Sequence, residues 1–121
     1  MEAIQLSAEP PVDLAHLFEA VGGMEEEARA LVAIYAEQAN ELFERLNGAV
    51  TVLATAEIEH VAHKLAGSSA SCGFTALVAP LRELEHAARL GQLSAEQARE
   101  LCHCAQERYA QVQQFLRTVF G

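Results

Sequence analysis

The sequence predicts an all-α protein: an antiparallel up-down four-helix bundle with a short extra N-terminal helix. Three observations carry that prediction. Apolar residues make up 51% of the chain, aromatics only 6% and tryptophan is absent, so the core must be built from Leu, Ala and Val. Those residues recur at three- and four-residue spacing, and no stretch keeps the alternation of a strand. The periodic segments are joined by short connections bearing helix start and stop signals, which suits antiparallel neighbours.

The predicted organisation is a flexible N-terminal arm over residues 1–11 and a single bundle domain over 12–121, a one-domain length. A short helix runs from Asp13, a plausible N-cap, to about Val21, with Leu14, Leu17, Phe18 and Val21 on one side. Gly22-Gly23 stops it. A long helix starts near Met24, its first turn loaded with Glu25, Glu26 and Glu27 at the positive end of the helix dipole. Its stripe is Ala28, Leu31, Val32, Tyr35, Leu42 and Leu46, reaching about Ala49. The next turn lies within 51–55, with Thr55 as candidate cap. The third helix covers about Ala56 to Ser71 and ends at Gly73. The fourth covers about Thr75 to Leu90, closed by Gly91, and Pro80 makes it start late or bend. The fifth opens on the capping-box pair Ser94 and Gln97 and continues to about Val119, with Leu101, Ala105, Val112, Leu116 and Val119 inward.

Charge excludes whole classes of function. Seventeen acidic against eight basic residues leave a net charge of −9, the wrong sign for phosphate backbones or anionic membranes. No apolar run approaches the roughly 20 residues that span a bilayer, and the N-terminus lacks the basic start of a signal peptide. Three cysteines without framework spacing suit a reducing cytoplasm. Cys102-His103-Cys104 has no second ligand pair, so its thiols read as helix residues and no metal is expected there. Neither a P-loop nor GxGxxG occurs, which leaves no means of self-phosphorylation from ATP. No nucleophilic Ser or Cys has a matching base and acid.

The informative stretch is Ala62 to Gly73, AHKLAGSSASCG. Ile58, Val61, Ala62, Leu65, Ser69 and Cys72 cluster within about 100° on the helical wheel and define the buried side. His63 lies about 140° from that stripe, Gly67 about 180° and His60 about 200°, so all three face solvent. Gly67 stands one turn beyond His63, and a helical glycine costs about 1 kcal/mol against alanine. Its bare backbone leaves the imidazole open to a large visitor. Exposed imidazoles keep a free nitrogen lone pair at neutral pH, which makes a passive acceptor of a phosphoryl group from an acyl phosphate.

A metal alternative rests on Glu57–His60 and Glu83–His86, two E-x-x-H pairs of the kind a di-iron bundle carries on separate helices. Such ligands must point into the core. His60 faces outward, and His86 lies about 170° from the stripe of Leu77, Leu81, Leu84 and Ala88, so no metal site is expected.

Ala62-His63-Lys64-Leu65-Ala66-Gly67-Ser68-Ser69 followed by Gly73 resembles the central motif of the histidine-containing phosphotransfer (HPt) domain of multistep phosphorelays. Residues 17–46 are similar to that family's first two helices, and LRELEHAARLG at 81–91 to the helix after its active site. The resemblance implies that His63 accepts a phosphoryl group from the aspartate of one receiver domain and relays it reversibly to another. The partners would be the receiver of a hybrid sensor histidine kinase and that of a response regulator. The carrier itself would need no cofactor, since receivers bring their own Mg²⁺.

Lys64, Gly67 and Ser68 are expected to support the phosphate, and Ala66 and Ala70, on the open face, to meet the receiver. One position departs from the family: Ala66 stands where a lysine usually meets the phosphoryl oxygens. Lys64, or Arg82 or Arg89 from the following helix, would have to substitute. The competing readings are a degenerate adaptor bundle that binds receivers without transfer, and a purely structural bundle. The filled stripes suggest a monomer.

Overall fold

The computed structural model describes residues 10–121, so the predicted arm falls outside the described residues except for Pro10 and Pro11. Five α-helices follow: α1 (Leu14–Ala20), α2 (Glu25–Thr51), α3 (Thr55–Cys72), α4 (Val78–Arg89) and α5 (Ala95–Phe120). A 3₁₀ turn, Thr75–Leu77, leads into α4. Helices α2 to α5 each pack on their chain neighbours, and α5 returns against α2, closing a four-helix ring. Links as short as Val52–Ala54 force consecutive packed helices to run antiparallel. The expected bundle is therefore present, with α1 laid across one end of α2 and α3.

The core is aliphatic, as the composition demanded: Leu46, Ile58, Leu65, Leu77, Leu81 and Leu84 are wholly buried. Phe74, Tyr35, Phe43 and Tyr109 form an aromatic chain along it, with Tyr35 edge-on to Phe74 at 4.6 Å between centroids. The Tyr35 hydroxyl and Ser69 Oγ, 2.7 Å apart, satisfy each other inside the bundle. Burial pushes the Tyr35 phenol pKa up, which keeps it neutral.

The start signals resolve unevenly. Asp13 caps α1, accepting from His16 N–H at 3.1 Å, and Ser94 caps α5, accepting from Gln97 N–H at 3.0 Å. The expected cap Thr55 is instead the first residue of α3, whose N-cap Ala54 offers no side-chain oxygen. Pro80 is accommodated by a late start: α4 begins at Val78, so the proline lies in a first turn whose N–H groups lack intrahelical partners anyway. Val119 does not join the inward stripe and is 40% exposed; in the same last turn it is Phe120 that packs inward, against Phe18.

Gly73 ends α3 in the left-handed region at φ 81°. Its carbonyl accepts from Asp13 N–H at 2.7 Å, and Pro11 O accepts from Ala76 N–H at 3.3 Å. His16 Nε2 lies 3.1 Å from Ser71 O. Together these bonds hold the first described residues onto the end of α3. A Cβ on Gly73 would stand 2.7 Å from Asp13 O, on top of the cost of a positive φ. Gly73→Ala should therefore lose about 2 kcal/mol or more in urea denaturation. Tyr35→Phe, which strands the Ser69 hydroxyl, should lose about 1–2 kcal/mol.

Candidate functional site

Helix α3 sorts its residues by face. Ile58, Val61, Ala62, Leu65, Ser69 and Cys72 are buried, as the wheel required, while His60, His63, Lys64 and Ala70 are exposed. Ala66 is a correction: it is 0% exposed and does not lie on the open face. It sits about 40° around from Ala62, within the buried face of the helix rather than beside it. Of the two alanines expected to meet a partner, only Ala70 is accessible.

The histidine is held from α4. The His63 side chain is 63% exposed, and its Nδ1 lies 2.8 Å from Oε2 of Glu85, whose side chain is only 6% exposed. Arg82 Nη1 donates to Glu85 Oε1 at 2.8 Å, and Arg89 Nη2 donates to Oε2. Arg89 Nε also donates to Glu59 Oε2 on α3 at 3.1 Å, tying the two helices together. Burial alone would raise the Glu85 pKa. The hydrogen bonds from Arg82 and His63, with their positive charge, outweigh it and hold the carboxyl below the ordinary carboxylate range. Arg89, bonded to Glu59 and facing Glu85, is held still more firmly in its charged form.

This arrangement selects a tautomer. An ionised carboxylate only accepts, so Nδ1 carries the proton and donates it to Glu85. In the neutral ring the lone pair then resides on Nε2, at the outer edge. The nitrogen that keeps its lone pair is thereby chosen by a residue on another helix.

The surroundings of the ring leave one side free. A Cβ added at Gly67 would meet nothing within 4 Å, so the fold itself does not require glycine there. A helical side chain leans back over the turn before it, so a larger residue at 67 would lie over His63. Lys64 is exposed and enters no ion pair among the described residues. The Ser68 hydroxyl donates back to Lys64 O at 3.0 Å, and Ser69 is buried against Tyr35, so both hydroxyls already have partners inside the fold. On the other side of the ring a shallow groove is lined by Ala56, Glu59, His60, His63, Glu85 and Arg89. His60 and His86 are both exposed, and Glu57 pairs with Arg45 rather than with a histidine. Among the described residues no group of three His, Cys, Asp or Glu side chains is placed to hold a metal ion.

A family model for the Hpt domain matches residues 30–115. The chain belongs to the Hpt domain family. Its fold is similar to the crystal structure of histidine-containing phosphotransfer protein B (HptB) from Pseudomonas aeruginosa PAO1, with a TM-score of 0.82 at 25% identity. That likeness covers 92% of this chain and 95% of the other. No curated protein sequence matches this one. As a member of the Hpt family the protein has a histidine phosphotransfer role in phosphorelays, where such domains work with receiver domains.

Glu85 was not among the residues singled out from the Hpt-like sequence, yet it organises the site. The signal was available: Glu85 follows Leu81 by four residues and so shares the buried stripe of α4. A carboxylate in phase with leucines, flanked by Arg82 and Arg89 at spacings of three and four, announces a buried ion-pair centre. Because its native pKa is lowered, Glu85 contributes stability that is present at neutral pH and is lost as pH falls through that value, below the ordinary carboxylate of about 4.3. Denaturation between pH 6 and pH 3 should therefore show a shallower loss of stability in Glu85→Gln than in the wild type.

Proposed function

We propose that His63 is the phosphoryl acceptor, taking the group from a phosphorylated receiver aspartate onto Nε2 and returning it to another receiver. The observation that carries this reading is the His63 Nδ1–Glu85 contact at 2.8 Å, which leaves Nε2 as the free nucleophile on an open surface. The Nε2 lone pair forms the N–P bond as the P–O bond to the receiver aspartate breaks, and the aspartate leaves as a carboxylate. The ring keeps its Nδ1 proton throughout, so the product is a phosphorylated imidazolium. Its positive charge faces the Glu85 carboxylate, a pre-arranged compensation that needs no reorganisation as charge develops. Reversal follows the same path, which suits a relay.

Anion support comes from the positive side chains around the ring. Lys64 is the unpaired cation next to the ring, on a stem long enough to swing. Arg82 and Arg89 set the local potential through Glu85. That arrangement stands in for the lysine absent at Ala66. Gly67 admits the receiver's loops, Ala70 extends the contact surface, and Ser68 keeps the backbone edge small. The receiver supplies the Mg²⁺. The upstream partner is the receiver of a hybrid sensor kinase and the downstream one that of a response regulator. Three free thiols, two of them buried, support a cytoplasmic location. Among the described residues no helix is long and apolar enough to cross a membrane.

His63→Gln should abolish acid-labile label after incubation with a phosphorylated receiver; undiminished label would overturn the assignment and leave the adaptor reading. Gly67→Ala should raise helix stability by about 1 kcal/mol, and Gly67→Gln should unfold nothing. Transfer should fall about tenfold or more in the Gln variant, because the obstruction lies on the docking side. Glu85→Ala should slow transfer by about tenfold or more, the scale seen when a metal-bound histidine loses the partner that fixes its tautomer.

A further inference from the structure

We infer that His60 is a second imidazole of the phosphoryl site, a positioning residue whose protonated form holds the phosphoryl group after transfer. The inference rests on His63 being the acceptor. Three observations lead to it. His60 and His63 line the same groove, together with Glu59, Glu85 and Arg89. They are three residues apart on α3, a spacing that brings helical side chains within about 5–6 Å at Cβ. And the His63 side chain, like any on a helix, leans toward the N-terminal turn, which here carries Glu59 and His60. A phosphoryl group on the outer nitrogen therefore arrives on the His60 side of the ring rather than over Gly67.

The charge balance of the groove supplies the reason. Arg82 is bonded to Glu85, and Arg89 is shared between Glu85 and Glu59, so two guanidiniums are matched by two carboxylates. The phosphorylated ring carries up to two negative charges on its phosphoryl oxygens against one positive charge on the imidazolium, and the positive charge faces Glu85, which leaves the outer oxygens unmatched. The remaining groups around His60 are Lys64 and Glu57 on its own helix, with Glu57 paired to Arg45 of α2. Lys64 and His60 are thus the two side chains left to answer the new charge, and His60 answers it only as an imidazolium. By linkage, phosphorylation of His63 draws a proton onto His60, and the protonated His60 in turn retains the phosphoryl group. The stabilisation is present at low pH and is lost as pH rises through the titration of His60.

The test uses the whole chain phosphorylated with phosphoramidate, a small-molecule donor that needs no receiver. The histidine ring resonances are followed from pH 5.5 to 8.5 before and after phosphorylation, with ³¹P resonances in parallel. The His60 titration midpoint should move to higher pH on phosphorylation, while that of His103, on α5 and paired with Glu107, stays in place. In His60→Gln the ³¹P titration midpoint should move up relative to wild type, and His60→Lys should return it to the wild-type value or below. An unmoved His60 midpoint together with an unchanged ³¹P titration in His60→Gln overturns the inference while leaving His63 as acceptor. If no phosphohistidine signal forms at His63, the acceptor reading itself fails, and with it the basis for this role.

Discussion

A carboxylate enclosed between two helices and surrounded by proton donors is the interaction on which the site depends. Taking an ionised Glu85 out of water costs several kcal/mol unless partners replace the lost hydration. Arg82, Arg89 and His63 are those partners, and they come from two helices. The histidine's orientation is thus part of a neutralisation that the fold needs in any case. The exposed imidazole and the scaffold share one carboxylate, so perturbing either disturbs the other.

That coupling explains why α3 and α4 must be placed so closely. Arg89 spans from Glu85 to Glu59, fixing the distance between the helices on the side where His63 stands. From the opposite side, Tyr35 on α2 anchors α3 through Ser69. Helix α3 is gripped on both flanks while its exposed side chains, His60, His63, Lys64 and Ala70, stay unobstructed. Rigidity beneath and openness above are what a carrier needs if large partners are to dock in turn on the same nitrogen.

Much of this was legible in the chain. The 3.6-residue periodicity placed the helices within a few residues and oriented His63 and Gly67 outward, because the apolar stripe of α3 is clean. What escaped had physical causes. Ala66 was assigned to the open face because an alanine carries too little hydrophobic signal to reveal which neighbour covers it. Glu85 went unnoticed because a charged residue is expected to face water, and only its phase relative to Leu81 and Leu84 argues otherwise. Ser68, expected to support the phosphate, has its hydroxyl committed to the backbone of its own helix, an outcome no spacing rule could show. Thr55 lost its capping role to a turn whose Leu53 adopts φ 51°, a conformation hard to anticipate for leucine.

The clasp at Gly73 has a consequence of another kind. It joins Asp13 to a residue 60 positions later through a single short backbone bond, with a seven-residue helix as its lever. Lifting that lever would also bare Val12 and Leu17, both fully buried, so the clasp and the end of the core it covers stand or fall together. A segment far away in the sequence thus closes the core beneath the end of the helix that carries the imidazole.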